Sequence, residues 1–304
     1  MIHVAEAGES KGRVVLELCS GEANPIAIEA AIWIARAFQS EIESLFVENE
    51  QLLHLASYPF AREISLSGRS SRTLTPLDIE RHFRFASASF HSEIERRARA
   101  MEVPFRARVV RAEPISALAA ACAENGPWNL VAIADPFTSP VCPSVKRLFE
   151  MVADTTGLLI VGPRARRLNG PIVVGLEEAE HLPAMLAAAQ RLAAVDGKEI
   201  DVILMADDEH RLAELEPSVR LVLAGRDEAR IVGSEIARGS LAVIAERLRR
   251  LQPGLVLGRF GGLLVPSEGD LRPLASVLEC PLLLVRLANG KPAQGFADDE
   301  AAGD

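Results

Sequence analysis

Little in this chain points to a metal centre, a membrane or a catalytic group. Its four cysteines, Cys19, Cys122, Cys142 and Cys280, include no CxxC pair and no zinc-like spacing with the six histidines, which argues against a structural metal. No run approaches the roughly eighteen uninterrupted apolar residues of a membrane span, so no membrane insertion is expected. The first dozen residues, MIHVAEAGESKG, lack the apolar core of a secretory leader, and a cytoplasmic location is the expectation. Eighteen prolines and twenty-one glycines among 304 residues are too few for a largely disordered protein. The net charge of −9 makes nucleic acid an unfavourable partner, because binding it needs clustered cations that displace counterions from phosphates.

What is present is a repeat. In register at an offset of 158, Val14-Val15-Leu16-Glu17-Leu18 lies over Ile172-Val173-Val174-Gly175-Leu176, Pro25 over Pro183, Ala30-Ala31 over Ala188-Ala189 and Ala35 over Ala193. The closings also match: Leu130-Val131-Ala132-Ile133 answers Leu255-Val256-Leu257, and Leu158-Leu159-Ile160-Val161 answers Leu282-Leu283-Leu284-Val285. The closing offset is about 125, so the first copy carries some 33 additional residues, expected mostly between 47 and 104. Residues 1–12 are expected to form a flexible N-terminus, 13–165 a first unit with an insertion at about 49–76, 170–287 a shorter second unit, and 288–304 a disordered acidic tail.

Within the first unit, strands are expected at 13–18, 41–47, 104–111, 129–134 and 157–162, with the second strand half-buried because EIESLFV alternates. Helices are expected from Asn24-Pro25 to about 39, from the capping box Thr75-Pro76-Leu77-Asp78 to about 101, at 114–124 and at about 144–154. The Ser-, Gly- and Thr-rich stretch ISLSGRSSRTLTP reads as a loop. The second unit repeats the pattern with strands at 171–176, 199–205, 229–235, 254–258 and 281–286. Its helices are expected at 182–195, 208–216, 240–250 and 270–278. Such alternation of strand and helix is the mark of a parallel sheet with crossover helices.

Charge is unevenly spread. Residues 62–111 hold eleven arginines against six acids, a local +5 that leaves −14 on the remainder. A solvated helix face with some ion pairs accounts for such a run, with an acidic partner or a neighbouring subunit as the other reading. Leu53, Leu55 and Phe60, if exposed, would signal a protein partner, a second copy of the chain among the candidates; packing over the sheet edge would explain them equally. Cys122 and Cys280 read as core residues. Cys19 ends the first strand and Cys142 follows the fourth; they read as two unrelated small residues, or as a thiol pair at one crevice should those strands be neighbours. None of the histidines pairs with a serine or cysteine in a nucleophile motif, and His181 reads as a surface residue at a helix start.

The order of elements, the strand-four loop and the closing phrase Glu279-Cys280-Pro281-Leu282-Leu283-Leu284-Val285 resemble the universal stress protein family, in tandem form, across about 14–286. The resemblance implies an α/β fold of two adenine nucleotide alpha hydrolase-like units. Each would hold a five-stranded parallel sheet in order 3-2-1-4-5 flanked by helices, with pairing through the last strands. In nucleotide-binding members an acid after strand one and a GxxG-x9-G[S/T] loop after strand four hold ATP, and other members bind none.

The first copy has Cys19 at the acid's place and a glycine-free loop, Ala134 to Cys142-Pro143, whose prolines withdraw NH donors. The second copy offers Glu177 with Gly258, Gly261, Gly262 and Gly269 as a candidate nucleotide site, although Asp270 replaces the hydroxyl and the spacing is two residues short. Those glycines serve equally as turn chemistry. The cofactor expectation is therefore none, or ATP or AMP in the second unit. The functional expectation is a non-catalytic regulatory or adaptor protein acting through protein contacts, with a weak adenine-nucleotide sensor as the alternative and a nucleotide hydrolase as a third reading.

Overall fold

The computed structural model describes residues 12–18, 24–65, 67–123, 129–134, 155–224, 229–236, 241–266, 272–288 and 291–292. The first half contributes β1 (Arg13–Leu18), β2 (Glu41–Asn49), a small hairpin of β3 (Arg62–Ile64) and β4 (Ser71–Thr73), β5 (Phe105–Ala112), β6 (Asn129–Ala134) and β7 (Gly157–Val161). The second contributes β8 (Ile172–Leu176), β9 (Ile200–Ala206), β10 (Ala229–Ile236), β11 (Leu255–Arg259) and β12 (Leu282–Val285). The helices are α1 (Pro25–Ala37), α2 (Glu50–Ala56), α3 (Pro76–Ala100), α4 (Pro114–Ala123), α5 (Leu182–Asp196), α6 (Glu209–Leu223), α7 (Leu241–Arg250) and α8 (Arg272–Val277).

Ten strands form one sheet in the order β10-β9-β8-β11-β12-β7-β6-β1-β2-β5. Neighbours are parallel within each half, and the halves meet where β12 and β7 pair antiparallel, Leu283 opposite Leu159. Where two five-stranded sheets pairing through their last strands are expected, one continuous ten-stranded sheet runs through both halves, because the apolar β7 and β12 are buried on both faces and leave no free edge between them. On one face lie α1, α3, α5 and α6, and on the other α4, α7 and α8. Across the junction Lys198 sits 3.6 Å from the centre of the Trp33 ring, and burial lowers its ammonium pKa from the ordinary lysine value.

Local signals place most helix starts. Asn24 Oδ1 accepts from Ile26 N at 3.0 Å, and the Thr75–Asp78 capping box is present in both directions. Four expectations need correction. The stretch 49–76 contains α2, capped by Asn49 Oδ1 on Gln51 N at 2.9 Å, and the β3–β4 hairpin, whose base is held by Leu74 N donating to Ala61 O. The additional residues fall where expected: 55 residues, 50–104, separate β2 from β5, and 22, 207–228, separate β9 from β10, a difference of 33.

Helix α6 does not stop at 216; it runs through Pro217 to Leu223. Leu215, Val219 and Leu223 pack on the sheet at helical spacing, while Pro217 and Ala213 are exposed, so the carbonyl that loses its partner faces water. The run expected to be structureless from 288 begins with a short ladder of Leu287–Ala288 against Lys291–Pro292. The expected helix at 144–154, residues 1–11 and residues 293–304 lie outside the described residues.

The fourth correction concerns β2, which is buried on both faces. Ile42 and Phe46 join the core on the α1 and α3 side, and Leu45 and Val47 join the α4 side. Glu43, fully buried, is held by Arg13 at 2.5 Å, with Arg108 at 3.7 Å; the other Arg13 nitrogen donates to Ala121 O in α4. The second half repeats the device. Asp201, buried on β9, accepts from Arg230 on β10 at 2.7 Å.

Cys280 is 2% exposed, and burial pushes its thiol up to about 12. At mildly alkaline pH iodoacetamide should leave it unmodified in the folded chain and alkylate it in urea. Peptide mapping that found rapid native labelling at Cys280 would contradict its place in the core. The side chain of Cys122 lies outside the described residues.

Candidate functional site

A cleft of about 740 Å³ opens at the carboxyl ends of β8, β9 and β11, the place where open α/β sheets carry ligands. Its floor is Glu177, which follows β8, and the loop after β11; its wall is α6, through Arg211, Glu214 and Ser218. Glu178, Glu180, Asp207 and Glu214 bring acidic side chains to the rim against Arg211 and Arg259, so the cleft is negative on balance.

Three of the sequence-derived site glycines converge here, and each has a local cause. Gly261 has φ +68°, the left-handed turn that ends β11. A Cβ on Gly262 would lie 2.7 Å from Cδ of Glu177, so only glycine admits that carboxylate. A Cβ on Gly258 would meet Leu264 Cδ2 at 2.9 Å, where Leu264 plugs the core beneath the loop. Gly269 lies outside the described residues, as do Cys19, Cys142 and the loop 135–143 of the first half.

Glu177 is the centre of the arrangement. Its side chain is 5% exposed; Oε1 accepts from Leu263 N at 2.6 Å and from Leu264 N at 3.3 Å, and Oε2 accepts from Arg259 Nη2 at 3.1 Å. Consecutive backbone NH groups and a guanidinium form an anion cradle of the kind that holds phosphate. Here the anion is the chain's own carboxylate. A phosphate at the described part of this loop would compete with Glu177 for those donors and would face Glu178, Glu180 and Asp207.

No family model and no curated protein matches the chain. Solved structures do match over nearly its whole length. A universal stress protein from Archaeoglobus fulgidus DSM 4304 aligns at TM-score 0.60 and 12% identity, covering 92% of this chain and 98% of that one. A putative universal stress protein from Pseudomonas aeruginosa UCBPP-PA14 aligns at TM-score 0.54 and 12% identity, covering 91% and 94%. The fold is that of the universal stress proteins. A functionally unknown protein from Pseudomonas aeruginosa PAO1 shares it at TM-score 0.54 and 12% identity, covering 95% of each chain.

Within this universal-stress fold the sequence located the acid and the turn but missed Arg259, the residue that ties Glu177 to Glu178. Its place beside Gly258 was visible, but its direction was not. His181 was expected at the surface and is instead 7% exposed, its Nδ1 3.5 Å from Glu178 Oε2 at the start of α5. Glu178, Glu180 and His181 bring ligand-type atoms within 4.8 Å of one another, a grouping explained by the Glu178–His181 contact in a single 3₁₀ turn. Among the described residues no helix is long and apolar enough to cross a membrane.

Proposed function

We propose that this chain is a non-catalytic regulatory or adaptor protein of the universal-stress type, built from two such units, 13–165 and 170–287, and acting through protein contacts made by the first. Two features support the tandem reading. From each outer edge inward, the strands of each half follow one another as third, second, first, fourth and fifth in chain order. In each half, too, a buried acid on the second strand meets an arginine on the third, Glu43 with Arg108 and Asp201 with Arg230.

The observation that carries the contact reading is a set of large apolar side chains left in water: Tyr58, Phe60, Ile64, Leu77 and Phe85 are each more than half exposed, Phe60 at 74% and Phe85 at 78%. The expectation for Leu55 holds at 48% exposed, whereas Leu53 packs against the core. The sensor reading, ATP or AMP held by Glu177, Gly258, Gly261, Gly262 and Gly269, is disfavoured because Glu177 already engages the loop. For the hydrolase reading, the one hydroxyl among the described residues lining the cleft, Ser218, donates to the backbone oxygen of Glu214 at 3.2 Å.

The tagged chain, purified gently, should retain a stoichiometric polypeptide identifiable by mass spectrometry, and the Phe60→Ser/Phe85→Ser chain should lose it. Calorimetry with ATP and AMP at millimolar concentration should give no binding heat. Saturating one-to-one heat with either nucleotide, alongside partner retention that ignores the double substitution, would replace the adaptor by the sensor.

A further inference from the structure

We propose that the face formed by residues 57–65 and 67–75 and the start of α3 is a docking surface for an acidic protein segment that carries aromatic or aliphatic anchors. This inference rests on the adaptor reading and adds the chemistry of the partner. The face is continuous. Tyr58 and Phe60 stack with ring centres 5.3 Å apart, Ala61 and Leu74 close the hairpin base, and Arg72 on β4 reaches Asp78 in the first turn of α3 at 3.9 Å. Helix α3 buries Phe83, Ser87, Ile94 and Ala98 on one side; Leu77, Arg81 and Phe85, four residues apart, form an exposed stripe on the other, with Arg84 beside it.

Charge decides the occupant. Of the eleven arginines between 62 and 111, six are ion-paired: Arg72 with Glu63, Arg96 and Arg97 with Glu93, Arg99 with Glu95, Arg108 with Glu43 and Arg111 with Glu48. The other five have no ion pair among the described residues, and four of them, Arg62, Arg69, Arg81 and Arg84, are exposed on or beside this face. A guanidinium offers a planar fork suited to carboxylates, and four of them among uncovered aromatics complement a segment that alternates acids with apolar anchors.

A uniformly anionic lipid surface or a phosphate chain suits the face less well. Glu63, Asp78 and Glu80 are interspersed with the arginines and would meet such a surface with like charge. A second copy adding a strand is opposed at the neighbouring sheet edge, where β5 carries Arg106, Arg108 and Arg111.

Fluorescence anisotropy of a labelled peptide in which Asp and Glu alternate with Phe and Leu tests the proposal on the full chain. Binding should weaken steeply with added salt. It should fall at least about tenfold in Arg81→Glu/Arg84→Glu and in Phe60→Ser/Phe85→Ser, each with an unchanged circular dichroism spectrum and melting temperature. The peptide with Asn and Gln in place of its acids should bind at least about tenfold more weakly. Equal binding of both peptides, or a loss in neither variant, would overturn the proposal. So would capture by phosphatidylserine vesicles or oligouridylate with no peptide binding. A chain ending at Pro292 should bind the peptide unchanged; a large gain there would show that the occupant is the chain's own Phe296–Glu300 segment, which also overturns it. A copurifying partner that lacks an acidic segment yet leaves when Phe60 and Phe85 are replaced would sink this inference and leave the adaptor reading standing.

Discussion

Arg13→Met will lower the stability of the chain by about 3–5 kcal/mol, the cost of leaving a buried carboxylate without its closest cation. Glu43 is fully buried at the centre of β2, and Arg13, 2% exposed, is its nearest partner; Arg108 lies 3.7 Å from the other oxygen. The same substitution also removes the bond to Ala121 O, loosening α4 from the sheet. Urea or thermal denaturation followed by circular dichroism reads the effect. The double change Arg13→Met/Glu43→Leu should recover most of the loss, because apolar groups of similar volume satisfy the site without a charge. A single-variant loss below about 1 kcal/mol, with no recovery in the double, would show that Glu43 does not depend on Arg13.

Glu177→Ala will open the cradle after β11. Leu263 N, Leu264 N and Arg259 Nη2 all lose their acceptor, and the loop should lose about 1–3 kcal/mol of support. The emptied donors should take up inorganic phosphate or AMP at least about tenfold more tightly than the natural chain, measured by calorimetry or by phosphate-dependent amide shifts of Leu263 and Leu264. Gly262→Ala is the contrasting variant, since its methyl would press on the Glu177 carboxylate and itself stand in the cradle, so the loop should be destabilised with no gain in phosphate affinity. Phosphate affinity that stays flat in Glu177→Ala would mean that the loop is only a turn and that Glu177 is incidental to its anion preference.

The legible parts of this fold were those that local chemistry specifies. Asn24, Pro25 and the Thr75–Asp78 box announced their helices, and the apolar strands stood out because a strand buried on both faces has to be apolar nearly throughout. The β2 strand misled for a related reason. Its alternation of Glu, Ile, Glu, Ser and Leu reads as one wet face, yet Arg13 and α4 cover that face and neutralise Glu43. A buried ion pair between residues thirty positions apart leaves no periodic trace. Pro217 misled in the opposite direction: a local breaker lost to the packing of Leu215, Val219 and Leu223.

At the candidate site, residue types and order were enough to bring Glu177, Gly261 and Gly262 to one crevice, with Gly258 packed against Leu264, because strand ends and turns follow from the chain's own alternation of elements. The sequence by itself likewise determined the repeat, the arginine-rich segment and the apolar residues beside it. Only the tertiary structure decided which arginines are spent on ion pairs, that the two halves share a single sheet through β7 and β12, and that the loop's donors are turned on Glu177. Those three depend on directions and distances between side chains far apart in the chain. Spacing along a sequence constrains backbone periodicity and leaves such directions open until packing chooses them.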